Sequence, residues 1–540
     1  MAYIAAKLAR QEPEAGTLQN FVPVFIHASD LQVSADQEGD PLAVILAAVS
    51  ARASTLTLPR LAEMLIKAFE SQQVFLLLDG LDELAPEPMG EIVTFLENLL
   101  AAFPGIRVAA AASAHQIDGL PSLGLAPVPL AVWGWKTQTQ FIQQWRKLWV
   151  QFIQTNPENS DETYVDPLLL NGWLLNLTPA TSPLEFTLKV WAVYAGDVRG
   201  PDEIDAIEAY IRRLIVNLPK ARRTLEVLAS HILTNMDSGV TESQAKDWFS
   251  LETAETTEIE PALLETAEGQ TNEPQKISLP QVLPDLIQNG LLVHRSNRKY
   301  AFIHPKITAY LGGLALAQQG KMDIFSQPTW PLKEMATSYM ASILDLGPQI
   351  RTMLAHSGDP LLTDRLTLGR WLQYIPQGVP EKKLILQKLS NDLRDEKLVL
   401  GSRIRILSAL ATSGDPGIAA LFRHLLNAPH DNVRQLAVLG CGYLRDSQSV
   451  GDLVKRLRDH PKVGQAACMA LVNINTKPAL EAVATVLLQG NEQLRRAAAE
   501  SFAIHTAEGY PILQDGSQAD DLLVRRAVIY GLARVRQPWA

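Results

Sequence analysis

Three carboxylates, Asp79, Asp82 and Glu83, stand within five residues at the end of the run Val74-Phe75-Leu76-Leu77-Leu78. Five apolar residues without alternation predict a strand buried on both faces, as in a parallel sheet. An open α/β sheet builds its ligand sites at the C-terminal ends of such strands. Acids delivered there can do two kinds of chemistry. The first can hold a divalent cation with its water shell, and a later one can orient or deprotonate a water. On that reading Asp79 is the metal residue, and Asp82 and Glu83 activate water. The plain alternative is a buried strand that ends in a solvated acidic turn, which the strand by itself does not exclude.

The elements needed to position these acids surround them. Met1 to Arg10 reads as an amphipathic helix, and Phe21 to Ala28 as a strand. Pro41 to Ser71 is helical, then comes the acid-tipped strand. A helix over Met89–Phe103 carries Ile92, Phe95, Leu96, Leu99 and Leu100 on one side. Ile106–Ala112 and Val128–Trp133 are two more strands. Alternation of this kind predicts a parallel sheet with right-handed crossovers. Thr137 to Trp149 is helical, with Phe141 and Trp145 spaced as core, and so is Leu168 to Ala195. Ile204–Met236 and Glu242–Phe249 are helical too. Leu251 to Lys276 holds seven Glu and no basic residue before Lys276, which reads as an acidic insertion between elements. A helix over Leu279–Asn289, capped by Gly290, leads into a hairpin over Leu291–His294 and Lys299–Ile303, the pattern of a winged helix.

Composition bounds the function. The 540 residues are 47% hydrophobic and 20% charged, an ordinary globular balance with room for several domains. A net charge of −10 gives no overall electrostatic reason to expect nucleic acid or an anionic membrane as partner, and leaves room for local basic patches. No run approaches the 18 or so apolar residues of a membrane helix. Cys441 and Cys468 lie in apolar helical surroundings and read as small buried hydrophobes in a reducing, cytoplasmic compartment.

The segment Val74 to Leu84, an apolar run followed by Asp-Gly-Leu-Asp-Glu, resembles the Walker B segment of NACHT-type nucleoside triphosphatases of the STAND class. Tyr300-Ala301-Phe302-Ile303-His304-Pro305 resembles the histidine signature of their winged-helix domains. The resemblance implies Mg²⁺ and ATP or ADP as cofactors, with Asp79 on Mg²⁺ and Asp82 and Glu83 on the attacking water. It also implies His304 near the β-phosphate of ADP and Pro183 near the adenine. The residues themselves offer plainer roles. His304 can hydrogen-bond at a helix start, and Pro183 suits a helical first turn.

The chain departs from the family in three places. The family's glycine-rich phosphate loop, G-x-x-x-x-G-K-[ST], is absent; the only Gly-Lys pair is Gly320-Lys321, followed by Met322. This leads to the expectation of a chain that either lacks its N-terminal part or has lost the loop, and of a sheet with either a vacant lane between the strands at Ile106–Ala112 and Val128–Trp133 or those two strands forced together. Ala112-Ser113-Ala114 stands where the family has Thr-Ser-Arg, so a phosphate-sensing cation is missing, with His115 next to it. Ala309 stands at the family's Glu position.

The last 140 or so residues are periodic. Ile404-Arg405, Val433-Arg434, Val463-Gly464, Leu494-Arg495 and Val524-Arg525 recur every 29 to 31 residues, and Ser408, Ala437, Ala467, Ala498 and Val528 follow four residues later. The segment Asp431 to Ala437 resembles the HEAT-type repeat, a helix pair that buries its face only by stacking into a solenoid. The Arg and Asp residues are expected to form a ladder between repeats.

The expected architecture is therefore α/β plus all-α. A truncated P-loop nucleoside-triphosphatase domain (1–150) precedes a helical domain (151–236) and a winged-helix domain (237–320) with an acidic insertion (251–276). A helical connector (321–399) and HEAT repeats (400–540) follow. The implied function is a nucleotide-dependent signalling switch, homo-oligomeric in full-length form, with a protein partner on the repeats and with ATP hydrolysis lost in this chain. The alternative from a different class is a non-catalytic HEAT-repeat scaffold with a degenerate nucleotide domain.

Overall fold

The computed structural model describes residues 1–33, 40–51, 53–113, 117, 119–130, 133–153, 181–200, 202–218, 221–249, 279–295, 299–356, 359–505, 507–535, 537 and 539–540. Ala114, His115, Val132, the start of the predicted Leu168–Ala195 helix, the acidic stretch Leu251–Lys276 and Arg298 lie outside these residues. The described residues fall into two compact units, one reaching Leu344 (Thr181 excepted) and one from Asp345 to Ala540. No described helix is long and apolar enough to cross a membrane.

The first unit opens with α1 (Ala2–Ala9) and a parallel sheet in the order β1 (Val22–His27), β2 (Val74–Asp79), β3 (Arg107–Ala110). The central strand is β2, and Val74, Leu76, Leu77 and Leu78 are fully buried, as an unbroken apolar run requires. The region predicted as one helix over Pro41–Ser71 is two, α2 (Pro41–Ser50) and α3 (Leu58–Glu70). Asp40 caps the first by accepting the Leu42 N–H at 2.9 Å. With α4 (Pro86–Ala102), they pack Ile45, Phe69, Leu96 and Leu99 onto the sheet.

The strand expected over Val128–Trp133 does not form at residues 128–130, where Val128 and Leu130 are 82% and 96% exposed. Pro127 and Pro129 remove two ladder donors in three residues, which disqualifies this stretch from pairing. Among the described residues β3 pairs with β2 alone.

Next comes an aromatic core between α5 (Trp135–Phe152), α6 (Pro183–Ala195) and α7 (Glu203–Ile215). Phe141 meets Trp133 and Phe186 at 5.1 and 5.6 Å between ring centres, and Trp145 meets Trp191 at 6.0 Å. The predicted helix over Ile204–Met236 is likewise split, into α7 and α8 (Ala221–Asn235). Helix α9 (242–249) follows strand β4 (Val240–Thr241). Helix α10 (Leu279–Gln288) ends at Gly290, whose φ of +76° suits a glycine stop. The hairpin β5 (Leu292–His294) and β6 (Lys299–Phe302) joins β4 in an antiparallel sheet of order β4-β6-β5. The unit closes with the buried α11 (Pro305–Gln318) and with α12 (Pro331–Met340).

The second unit is helical throughout its described residues. It starts with α13 (Gly347–Ala355), α14 (Thr363–Trp371) and α15 (Pro380–Arg394). Helix pairs follow: α16 (Leu400–Thr412) with α17 (Gly417–Leu425), α18 (Asp431–Tyr443) with α19 (Val450–Arg456), α20 (Pro461–Ile474) with α21 (Lys477–Gln489), and α22 (Glu492–Phe502) with α23 (Gly509–Ser517). The last helix is α24 (Leu522–Leu532). The first helices of successive pairs stack on one another. Small residues bring them close: a Cβ built on Gly442 would lie 2.6 Å from the Ala470 Cα.

The solenoid corrects the phase expected for the first repeat. Ile404 is 46% exposed, and Arg405 and Ser408 are exposed, while Ser402, Arg403 and Ile406 are buried. Helix starts at 400, 431, 461, 492 and 522 place Arg403, not Arg405, level with Arg434, Gly464, Arg495 and Arg525. The apolar–Arg pattern occurs only at Ile404-Arg405, since Ser402 precedes Arg403, so burial and not the pattern identifies the inward phase. The expected ladder exists at two steps. Arg434 grips Asp459 with two nitrogens at 2.7 and 2.9 Å, and Arg495 reaches Asp521 at 2.9 Å. In each case the acid lies just before the next first helix. Arg403 instead donates to the Leu393 carbonyl at 2.9 Å.

Candidate functional site

The acids at the tip of β2 are placed by one backbone event. Strand β2 ends at Asp79, and Gly80 turns the chain with φ +77° into a short turn of helix over Leu81–Glu83. A Cβ at Gly80 would sit 2.1 Å from Nε2 of His27, so both the positive φ and the imbalance of space demand glycine. His27 is there because the parallel register pairs it with Asp79. Its Nδ1 accepts the Ser29 N–H at 3.3 Å and lies 2.8 Å from the Ser29 hydroxyl, which leaves Nε2 to carry the proton. That nitrogen lies 3.4 Å from Oε2 of Glu83.

The three acids differ in what they touch. Asp79 accepts the N–H of Gly80 at 3.2 Å. Asp82 is half-buried, and burial pushes its pKa up, with the neighbouring charges of Glu83 and Asp79 adding to the rise. Glu83 is approached from two sides, by His27 and by the Arg295 guanidinium at 3.9 Å. Arg295 directly follows β5, so the hairpin module closes onto the tip of the sheet.

His304 enters from the same module. It caps α11, its Nδ1 accepting the Lys306 N–H at 3.1 Å. This is the plain role its position allowed. Burial, with the Lys306 charge, lowers its pKa to about 4 against the opposing pull of Glu83 and Glu203, so the ring is neutral near pH 7. Lys306 bonds Glu203 at the start of α7, and Tyr339 on α12 donates to the same carboxylate at 3.4 Å. A second carboxylate on α7, Glu208, accepts from Tyr310 and from Arg222, both at 2.8 Å. The tip of the sheet, α7, α11, α12 and the hairpin thus meet in one polar seam.

The structure therefore brings Asp79, Asp82, Glu83 and His304 into one neighbourhood. Pro183 opens the first turn of α6 behind the Ser182 cap, where its missing N–H costs nothing, and Thr187 donates to its carbonyl at 2.7 Å. Ala309, at the position where a glutamate was the family pattern, is fully buried in α11. Sequence reasoning missed His27, Glu203 and Arg295 as members of this seam. For His27 a signal existed: in a parallel sheet the residue ending one apolar strand stands beside the residue ending the next. For Glu203 and Arg295 there was none, because their contacts to Lys306 and Glu83 span long stretches of chain.

These side chains do not make a Mg²⁺ site by themselves. Among the described residues no group of three or more His, Cys, Asp or Glu converges as metal ligands. Glu83 is engaged by a histidine and an arginine. One or two remaining carboxylates hold Mg²⁺ only when phosphate oxygens complete its shell.

Comparison with known proteins bears on the other unit. A family model described as HEAT repeats matches residues 418–503. That span runs from α17 through α22, where the stacked pairs and the Arg434–Asp459 rung lie. No curated protein matches the chain.

Proposed function

We propose that this chain is a HEAT-repeat scaffold that binds a protein partner, with the α/β part serving as a support. The observation that carries this reading is the stack of helix pairs whose core matches the HEAT-repeat model over residues 418–503. A solenoid offers a long exposed face built from successive helices, suited to a partner rather than to a small substrate. The acid tip supports the same reading, because Glu83 faces His27 and Arg295 instead of open solvent.

A second reading has one observation in its favour. The hairpin module closes on the acid tip through Arg295 and His304, the geometry that a nucleotide-biased switch needs between its two parts. In that reading Asp79 takes Mg²⁺, Asp82 and Glu83 face the attacking water, and Pro183 and His304 contact ATP or ADP. Titration of the purified chain with ATP and Mg²⁺ separates the two. The scaffold reading expects no detectable binding. Micromolar binding that Asp79→Ala abolishes would replace it with the switch.

A further inference from the structure

The first helices of the solenoid leave one face open to solvent, and on the last three it is cut by a cleft. The cleft encloses about 580 Å³, and a smaller one of about 140 Å³ adjoins it. Arg496 lines both. Its guanidinium lies 4.3 Å over the Tyr530 ring and 3.0 Å from Glu500. Arg534 binds the same Glu500 at 3.1 Å, and Arg526 binds Glu492 at 3.1 Å. Three guanidiniums therefore face two carboxylates, leaving a positive excess in a chain whose net charge is −10. These three side chains are 50–59% exposed. Pairs that open to water hold only weakly, so an incoming carboxylate can share or replace them.

The rest of the lining has a different character. Met469 and Ile504 are apolar and 42% and 62% exposed. Gln465 and Gln493 carry side-chain amides, which donate and accept as a peptide main chain does. Together the cleft offers amides for a backbone, an apolar wall for alternate side chains and guanidiniums for carboxylates. We propose that it docks an extended acidic peptide segment of a partner protein. A partner carboxylate sits between Arg496 and Arg534, and an apolar side chain lies against Met469 and Ile504. This rests on the scaffold reading and names the chemistry of the partner. Nucleic acid fits less well, because Arg496 covers the Tyr530 ring that a base would stack on.

The test uses the whole chain, panned against a random-peptide display library, with a single-stranded oligonucleotide measured beside the selected peptides. The expected peptides are rich in Asp and Glu with interspersed aliphatic residues. Arg534→Glu weakens them about tenfold, as loss of a charge-assisted contact does, and Arg526→Glu weakens them less. Glu500→Gln, which frees both guanidiniums, tightens them. Unchanged melting temperatures show that the exposed substitutions leave the fold intact. An empty selection, peptides without acidic bias, equal binding by Arg534→Glu, or tighter binding of the oligonucleotide would each overturn the proposal. The ATP titration on the same preparation tests the scaffold reading separately, so either can fail alone.

Discussion

Two ion-paired regions of this protein, the solenoid ladder and the sheet tip, are built on opposite principles. In the solenoid, Arg434 reaches Asp459 only 25 residues along the chain, and Arg495 reaches Asp521 at 26. The spacing is set by a helix pair, so the contact repeats whenever the pair repeats. At the sheet tip, Glu83 gathers His27 and Arg295 from segments far apart in sequence, and Lys306 meets Glu203 across 103 residues. Nothing there repeats. The solenoid stacks even where a rung is absent, at Gly464 and at Arg403, whereas the tip depends on single residues with no copy elsewhere.

The largest expected effect tests that dependence. Gly80→Val forces a branched side chain into a left-handed backbone and into the His27 ring, and a loss of about 4 kcal/mol of stability is expected from strain plus clash. Chemical denaturation followed by circular dichroism measures it, and a loss under about 1 kcal/mol would mean the tip rearranges freely.

The second prediction tests the repeat phase. Ile406→Ala removes a fully buried side chain and should cost about 3 kcal/mol. Ile404→Ala, two residues away and half-exposed, should stay within about 0.5 kcal/mol. Reversal of the two would restore the Ile404-Arg405 phase.

The third is smaller and reads the ladder by pH. The Arg434 guanidinium holds Asp459 well below the ordinary carboxylate range, down to about 2. The unfolded chain takes up this proton at higher pH than the folded one. The contribution is therefore complete above about pH 4 and is lost as pH falls toward about 2. Asp459→Asn should cost about 2 kcal/mol at neutral pH and flatten the acid limb of a stability–pH curve. An acid limb identical to wild type would assign the acid sensitivity elsewhere.

The smallest concerns Glu83. Its contacts are long, so Glu83→Gln should cost only about 1 kcal/mol globally. Its signature is local: faster hydrogen exchange in the β5–β6 hairpin, with the solenoid unaffected. Exchange that rises everywhere, or nowhere, would deny the seam a role in holding the hairpin module.

Much of the fold was legible because its causes are local. The unbroken run Val74–Leu78 announced a buried parallel strand, and β2 is one. The recurring Val-Arg and Leu-Arg pairs announced stacked helix pairs, because a repeat that cannot bury its own face writes the same pattern at each turn of the solenoid. What misled was also local. Val128-Pro129-Leu130 looked apolar enough for a strand, but two prolines deny it donors. The helices expected over Pro41–Ser71 and Ile204–Met236 each break in two, and a proline stands at each break as a local signal, Pro59 in the first turn of α3 and Pro219 just before α8.

By itself the amino-acid order determined the periods, the buried strand, the cluster of three acids and the glycine stop at Gly290, since each follows from neighbours within a turn or two. Only the tertiary structure decided that Glu83 looks at His27 and Arg295, that His304 is buried near Glu83 and Glu203, and that Arg403 rather than Arg405 faces inward. Those outcomes depend on which distant segments come to rest together and how much water they exclude, quantities that no single stretch of chain contains.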